Sequence, residues 1–147
     1  MKTSSAGLAF IKSFEGFRSA PYKDGGGVWT IGYGSTHHVG PDTPPITESQ
    51  ALELLAEDVA PAEHDITSLI HVPLEQCQFD ALVSLRFNCG TAPLHGTLGK
   101  LLNGADYDGA ANQFTKWCHD NGKMIPGLLR RRQAECKVFL GEGYESA

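Results

Sequence analysis

The sequence predicts an α+β fold that is mainly helical: a helical body with one small β-hairpin lobe set in early, so that two lobes flank a cleft. Three observations carry this expectation. Apolar residues recur at helical spacing in several separate segments, one short stretch alternates like a strand directly after a glycine-rich turn, and the chain contains no internal repeat or low-complexity tract. A chain of 147 residues is long enough to bury one proper core, and 41% hydrophobic with 20% charged residues is ordinary for a globular protein. We read a single domain over 1–147, with the hairpin lobe at about 18–45 and the helical body at 1–17 and 46–147.

Ser4 or Ser5 caps a first helix with apolar positions at Leu8, Ile11 and Phe14, and Gly16 ends it, so that Glu15 falls in the last turn. Lys23-Asp24-Gly25-Gly26-Gly27 forms a turn, and Val28 to Gly34 then alternates, with Trp29, Ile31 and Tyr33 on one face and Thr30 on the other. Thr47 and Gln50 make a capping box for a helix through Leu52, Leu55, Ala56 and Val59, which Pro61 kinks or ends. From Glu75 to Asn88 apolar groups run almost all the way round, the pattern of a central helix, and Gly90 stands just past its end. Shorter helices follow at Leu98 to Leu102, closed near Gly104, and at Ala110 to Trp117, capped by Asp108. After a turn at Gly122-Lys123, Pro126-Gly127 opens a last helix with Leu129, Cys136, Phe139 and Leu140 on one face.

Composition excludes several classes of function. A formal net charge of −5 gives no positive field for phosphate contacts, so nucleic acid is not a partner. The apolar run Leu8 to Ile11 is shorter than the roughly 7–15 residues of a signal-peptide core and the roughly 20 of a membrane helix. The expectation is a chain made and held in the cytoplasm, with no integral membrane segment. Cys77, Cys89, Cys118 and Cys136 show no close CxxC pairing and read as reduced, mostly buried thiols, although three disulfide pairings stay open. His37 and His38 point to opposite faces of a strand, and His64, His71, His95 and His119 lack ligand spacing, so neither metal nor cofactor is expected.

Glu15 follows Ile11 by four residues and Leu8 by seven, which sets its carboxyl on the apolar face of the first helix. Burial and the negative end of the helix dipole both favour the protonated form there, which is what a glycosidase asks of a general acid. Asp24 lies in a turn before three glycines, free to present its side chain across a cleft, and the Thr30 hydroxyl lies on the open face of the hairpin, where it can hold a water molecule. Each residue alone is ordinary: an acid at a helix end, an Asp-Gly turn, a β-branched strand residue. Their combination is not.

Glu15, eight residues, Asp24, five residues, then Thr30-Ile31-Gly32-Tyr33-Gly34 resembles the catalytic signature of the phage-type lysozymes, the endolysins of glycoside hydrolase family 24. Phe14-Glu15-Gly16-Phe17-Arg18 and Tyr22-Lys23-Asp24 agree with it. So do Gln78 to Leu85 with Phe87, Asn88 and Gly90, which resemble the family's central helix, and Gly127 to Arg132 with Glu135, which resemble its last helix. The resemblance covers nearly the whole chain and implies a lysozyme-like two-lobed fold. It implies a monomeric muramidase that cuts the β-1,4 bond between N-acetylmuramic acid and N-acetylglucosamine in peptidoglycan, with inversion at the anomeric carbon. Glu15 would protonate the leaving oxygen, Asp24 would stabilise positive charge or act as base, and Thr30 would hold the attacking water. An arginine from the last helix is expected beside Glu15, either Arg131 or Arg132, and a separate holin is expected to release the enzyme to the wall. Two alternatives stay open: a lytic transglycosylase on the same bond, disfavoured because it has no use for a water-holding residue, and a non-catalytic wall-binding module, disfavoured by the intact trio.

Overall fold

The computed structural model describes residues 1–146. The chain runs α1 (Ser5–Lys12), β1 (Arg18–Lys23), β2 (Trp29–Gly32), α2 (Glu48–Asp58), α3 (Ala60–Leu69), α4 (Gln76–Cys89), α5 (Ala92–His95), α6 (Thr97–Asn103), α7 (Tyr107–Ala111), a 3-10 turn (Phe114–Lys116), β3 (His119–Asp120), β4 (Lys123–Met124) and α8 (Pro126–Phe139). This is the mainly helical α+β architecture expected, with β1 and β2 paired antiparallel through Tyr22 opposite Thr30 and Lys23 opposite Trp29.

The centre is α4, on which Phe79 to Leu85 are all buried, because a helix apolar on every side can only be satisfied by neighbours on every side. It packs against α8, α3 and α1, and the shared core gathers Ile11, Leu55, Ile66, Leu82, Phe114 and Phe139. Gly90 ends α4 at φ +79°, a conformation that a side chain would oppose. The Thr47 capping box forms as expected: Thr47 Oγ1 accepts from the Gln50 N–H at 3.1 Å and Gln50 Oε1 from the Thr47 N–H at 2.9 Å.

Several elements differ from the sequence reading. The first helix stops at Lys12, because Ser13 turns its hydroxyl onto the Phe10 carbonyl and the chain closes a turn with Glu15 N–H on Lys12 O at 3.0 Å. Pro61 does not merely end α2; it sits in the first turn of a separate α3, where its missing N–H costs nothing. Asp106, not Asp108, caps α7, its Oδ1 accepting from the Gly109 N–H at 2.9 Å. Asn121 and Gly122 take φ of 51° and 77° and connect β3 to β4 in a second hairpin, which the sequence reading treated as a plain turn. The last helix also buries a different face: Arg131, Arg132 and Glu135 point inward with Ala134, Val138 and Phe139, while Leu140 is 46% exposed.

Both chain ends are clasped by one buried carboxylate. Asp80 accepts from the Ser4 N–H at 3.0 Å, the Ser4 hydroxyl, Gln76 Nε2 at 2.8 Å and the Tyr144 hydroxyl at 2.7 Å. Gly7 makes room for it, since a Cβ there would lie 2.6 Å from Asp80 Cγ.

Candidate active site

Glu15 sits just beyond α1, with its side chain 28% exposed and Oε1 3.5 Å from Arg131 Nη1. Glu15 therefore does not lie on the apolar face of the first helix as expected: the helix ends before it, and a guanidinium faces it. Between Arg131 and Arg132, the sequence left the choice open; the structure brings Arg131. The Arg131 guanidinium also lies over the Phe14 ring, 4.7 Å from its centroid, so that the residue before Glu15 helps to hold the cation.

Behind Arg131 is a fully buried ionic cluster. Glu135 is 0% exposed, receives Arg131 Nε at 3.2 Å and the Ser84 hydroxyl at 2.5 Å, and has Arg132 Nε 2.6 Å from Oε1. That last contact is a close approach of opposite charges without hydrogen-bond alignment. Burial pushes the Glu135 carboxyl above the ordinary carboxylate range, while the two guanidiniums and the Ser84 hydroxyl pull the other way. Arg132 reaches on to Asn88 Oδ1 at 2.8 Å, the Trp117 carbonyl at 3.5 Å and the Cys89 sulfur, and burial pushes the Cys89 thiol up. The four cysteines are unpaired, with Cys118 buried and the others half-buried.

Asp24 and Thr30 meet through one residue of the hairpin. Asp24 Oδ1 accepts from the Val28 N–H at 2.9 Å and the Gly26 N–H at 2.8 Å, and the Val28 carbonyl accepts both the Asp24 N–H and the Thr30 hydroxyl at 2.9 Å. The three glycines let this turn fold back on its carboxylate; Gly27 takes φ +80°. Asp24 is exposed. Thr30 is not on an open face as expected from strand alternation: it is 4% exposed, because both faces of this short strand are covered, and its proton is spent on Val28. Only the lone pairs of its oxygen are left for a further partner.

After β2 the chain reverses through reciprocal 2.9 Å hydrogen bonds between Ile31 and Ser35, with Gly32 and Gly34 at φ of +66° and +95°. This turn faces Glu15: a Cβ on Gly34 would stand 3.9 Å from Glu15 Oε2. The Ser35 hydroxyl ties it to α2 by donating to Asp58 Oδ2 at 2.5 Å.

This arrangement and sequence match known proteins. The phage lysozyme family model matches residues 12–135. The chain belongs to the phage lysozyme family. An endolysin of Acyrthosiphon pisum secondary endosymbiont phage 1 is 45% identical over 144 residues, 95% of this chain and 98% of that one. The crystal structure of a point mutant of the P22 lysozyme superposes with a TM-score of 0.87 at 39% identity, covering 95% of this chain and 99% of that one. The muramidase domain of SpmX from Asticaccaulis excentricus gives a TM-score of 0.84 at 36% identity, over 95% and 97% of the two chains.

In this phage lysozyme the sequence reading missed Ser35 and Asp58, and it noted Ser84 and Glu135 only as parts of motifs. Ser84 reads as one more small residue of a core helix, and nothing local marks its hydroxyl as the partner of a carboxylate 51 positions away. The signal that was available is Glu135 itself, an acid one turn from Arg131 and Arg132 and therefore on their face of α8.

Proposed function

We propose that Glu15, Asp24 and Thr30 carry out hydrolysis of the β-1,4 bond between N-acetylmuramic acid and N-acetylglucosamine, with Glu15 as general acid. The coarser activity rests on the family: the protein is a glycoside hydrolase, a phage endolysin that degrades peptidoglycan. The observation that carries the finer reading is the pairing of Glu15 with Arg131 at one end of the hairpin segment whose other end holds Asp24 and Thr30 around Val28.

Glu15 delivers its proton to the leaving oxygen. Asp24, with Oδ1 fixed by two backbone N–H groups, presents a carboxylate of defined orientation to the growing positive charge or to water. Thr30 accepts a hydrogen bond from that water, since its own proton is already donated to Val28. A water on the face opposite Glu15 inverts the anomeric carbon, so proton NMR of the first product shows the α-anomer; a β-anomer overturns this step. The role given to the water also separates this reading from a transglycosylase, whose anhydro product is lighter by one water.

The direct test is wall clearing by Glu15→Gln. Loss of nearly all activity with the fold intact supports the assignment, and activity equal to the parent overturns it. Among the described residues no helix is long and apolar enough to cross a membrane. The enzyme acts on the cell wall as a monomer, and a separate holin admits it there from the cytoplasm. Expression without membrane permeabilisation then leaves cells intact; lysis under those conditions overturns the route.

A further inference from the structure

We propose that Glu135 is a positioning residue for the reaction: its carboxylate divides Arg131 between the core and Glu15 and, through Arg132, sets the wall of the neighbouring groove. The inference rests on Glu15 as the general acid.

Arg131 spreads its donors over three partners. Nε reaches Glu135 at 3.2 Å, Nη2 reaches the Ser84 hydroxyl and carbonyl at 3.3 and 3.5 Å, and Nη1 reaches Glu15 at 3.5 Å. The bond to Glu15 is at the long end, and the firmer ones pull the guanidinium inward, toward Glu135. Because Arg131 is 5% exposed, water does little to screen this competition. The charged and titratable groups facing the cluster are Arg131 and Arg132 on α8, Cys89 on α4 and Glu15 beyond the end of α1. One buried anion thus restrains two cations, and only one of them reaches the acid.

The second branch is geometric. Arg132 is fully buried and fastens Asn88, Cys89 and the Trp117 carbonyl, three residues that line an open groove of ≈ 570 Å³ beside α8. Glu135 therefore connects the setting of the acid with the shape of that groove from a fully buried position.

Removing the Glu135 charge frees Arg131 to move onto Glu15 and leaves an excess of positive charge beside it. That favours the ionised form of a group that must be protonated to work. The test is the pH profile of kcat and KM for Glu135→Gln and Glu135→Asp on peptidoglycan, with folding checked by near-ultraviolet circular dichroism. Glu135→Gln is expected to move the alkaline limb of kcat to lower pH by about one unit, and Glu135→Asp, which restores the charge, to return most of it. An unmoved limb in folded Glu135→Gln overturns the proposal, as does equal displacement in both variants. Where Glu135→Gln does not fold, Ser84→Ala takes its place. That change removes a partner of both Glu135 and Arg131, so a smaller shift in the same direction is expected and an unchanged profile overturns the proposal. A failure of the Glu15 assignment itself is read separately, as retained activity in Glu15→Gln.

Discussion

Asp24 and Thr30 make side-chain hydrogen bonds that reach no farther than four residues along the chain, whereas Ser84 and Glu135 meet across 51. The hairpin carboxylate is exposed and its turn is held by backbone N–H groups; the α4–α8 cluster is dry and held by charge. The first region can lose a side chain without losing the fold, because water replaces what is removed. In the second, each group is a partner of at least one other buried group, so chemistry and stability are linked.

The sharpest contrast comes from truncating one carboxylate in each region. Glu135→Ala leaves two buried guanidiniums without their anion and is expected to cost about 3–5 kcal/mol. Asp24→Ala is expected to cost no more than about 1 kcal/mol while abolishing most wall-clearing activity. Urea unfolding of both variants checks the pair, and comparable losses of stability in the two regions erase the distinction.

Next in size is Gly7→Ala. A Cβ at position 7 meets the Asp80 carboxyl at 2.6 Å, and Asp80 cannot retreat without releasing Ser4 and Tyr144. A loss of about 1–3 kcal/mol is expected, measured by the same unfolding series. A neutral outcome means that Asp80 moves freely and the clasp on the chain ends is loose.

Thr30 tests whether the comparison holds inside the hairpin, since it is the buried member of the local trio. Thr30→Val keeps the shape and removes the hydroxyl, while the Val28 carbonyl keeps the Asp24 N–H. About 1 kcal/mol of stability is expected to go, together with at least a tenfold fall in kcat. Full activity in folded Thr30→Val removes Thr30 from the mechanism.

The same contrast explains what the sequence discloses. Caps and turns are written locally, so Ser4, Thr47 with Gln50 and Gly90 are found in place, and the Asn121-Gly122 hairpin was there to be read from its turn pair. The trio could be nominated because its spacing within one short segment resembles the catalytic signature of the phage lysozymes. The orientation of Thr30 and the end of α1 were misjudged because each depends on a neighbour: the cover over β2, and a serine that prefers a carbonyl to the next helical turn. Least legible was α8. Helical spacing leaves Arg131 and Arg132 undecided, and Glu135 on α8 itself, with Ser84 and Asn88 from α4, is what makes the inward placement of both favourable.

The smallest expected effect concerns alkaline pH and follows from the other dry polar site. Tyr144 donates to Asp80, and partial burial together with that carboxylate raises the phenol from 10.0 to about 12. The protonated phenol is thus favoured in the folded state. Its contribution to stability is complete below pH 10, declines as the unfolded chain begins to ionise there, and is gone as pH rises through about 12. The half-buried position of Tyr144 keeps the effect small, because solvent screens the interaction. Thermal unfolding of the parent and Tyr144→Phe between about pH 9 and 12 should therefore show two curves that converge as the pH rises, with the parent the more stable at the lower end. The hairpin has no such buried phenol–carboxylate pair among its described hydrogen bonds, so Asp24→Ala should lose stability in parallel with the parent over that range. Curves for Tyr144→Phe that stay parallel to the parent throughout would place Tyr144 with the hairpin, as a contact that water replaces.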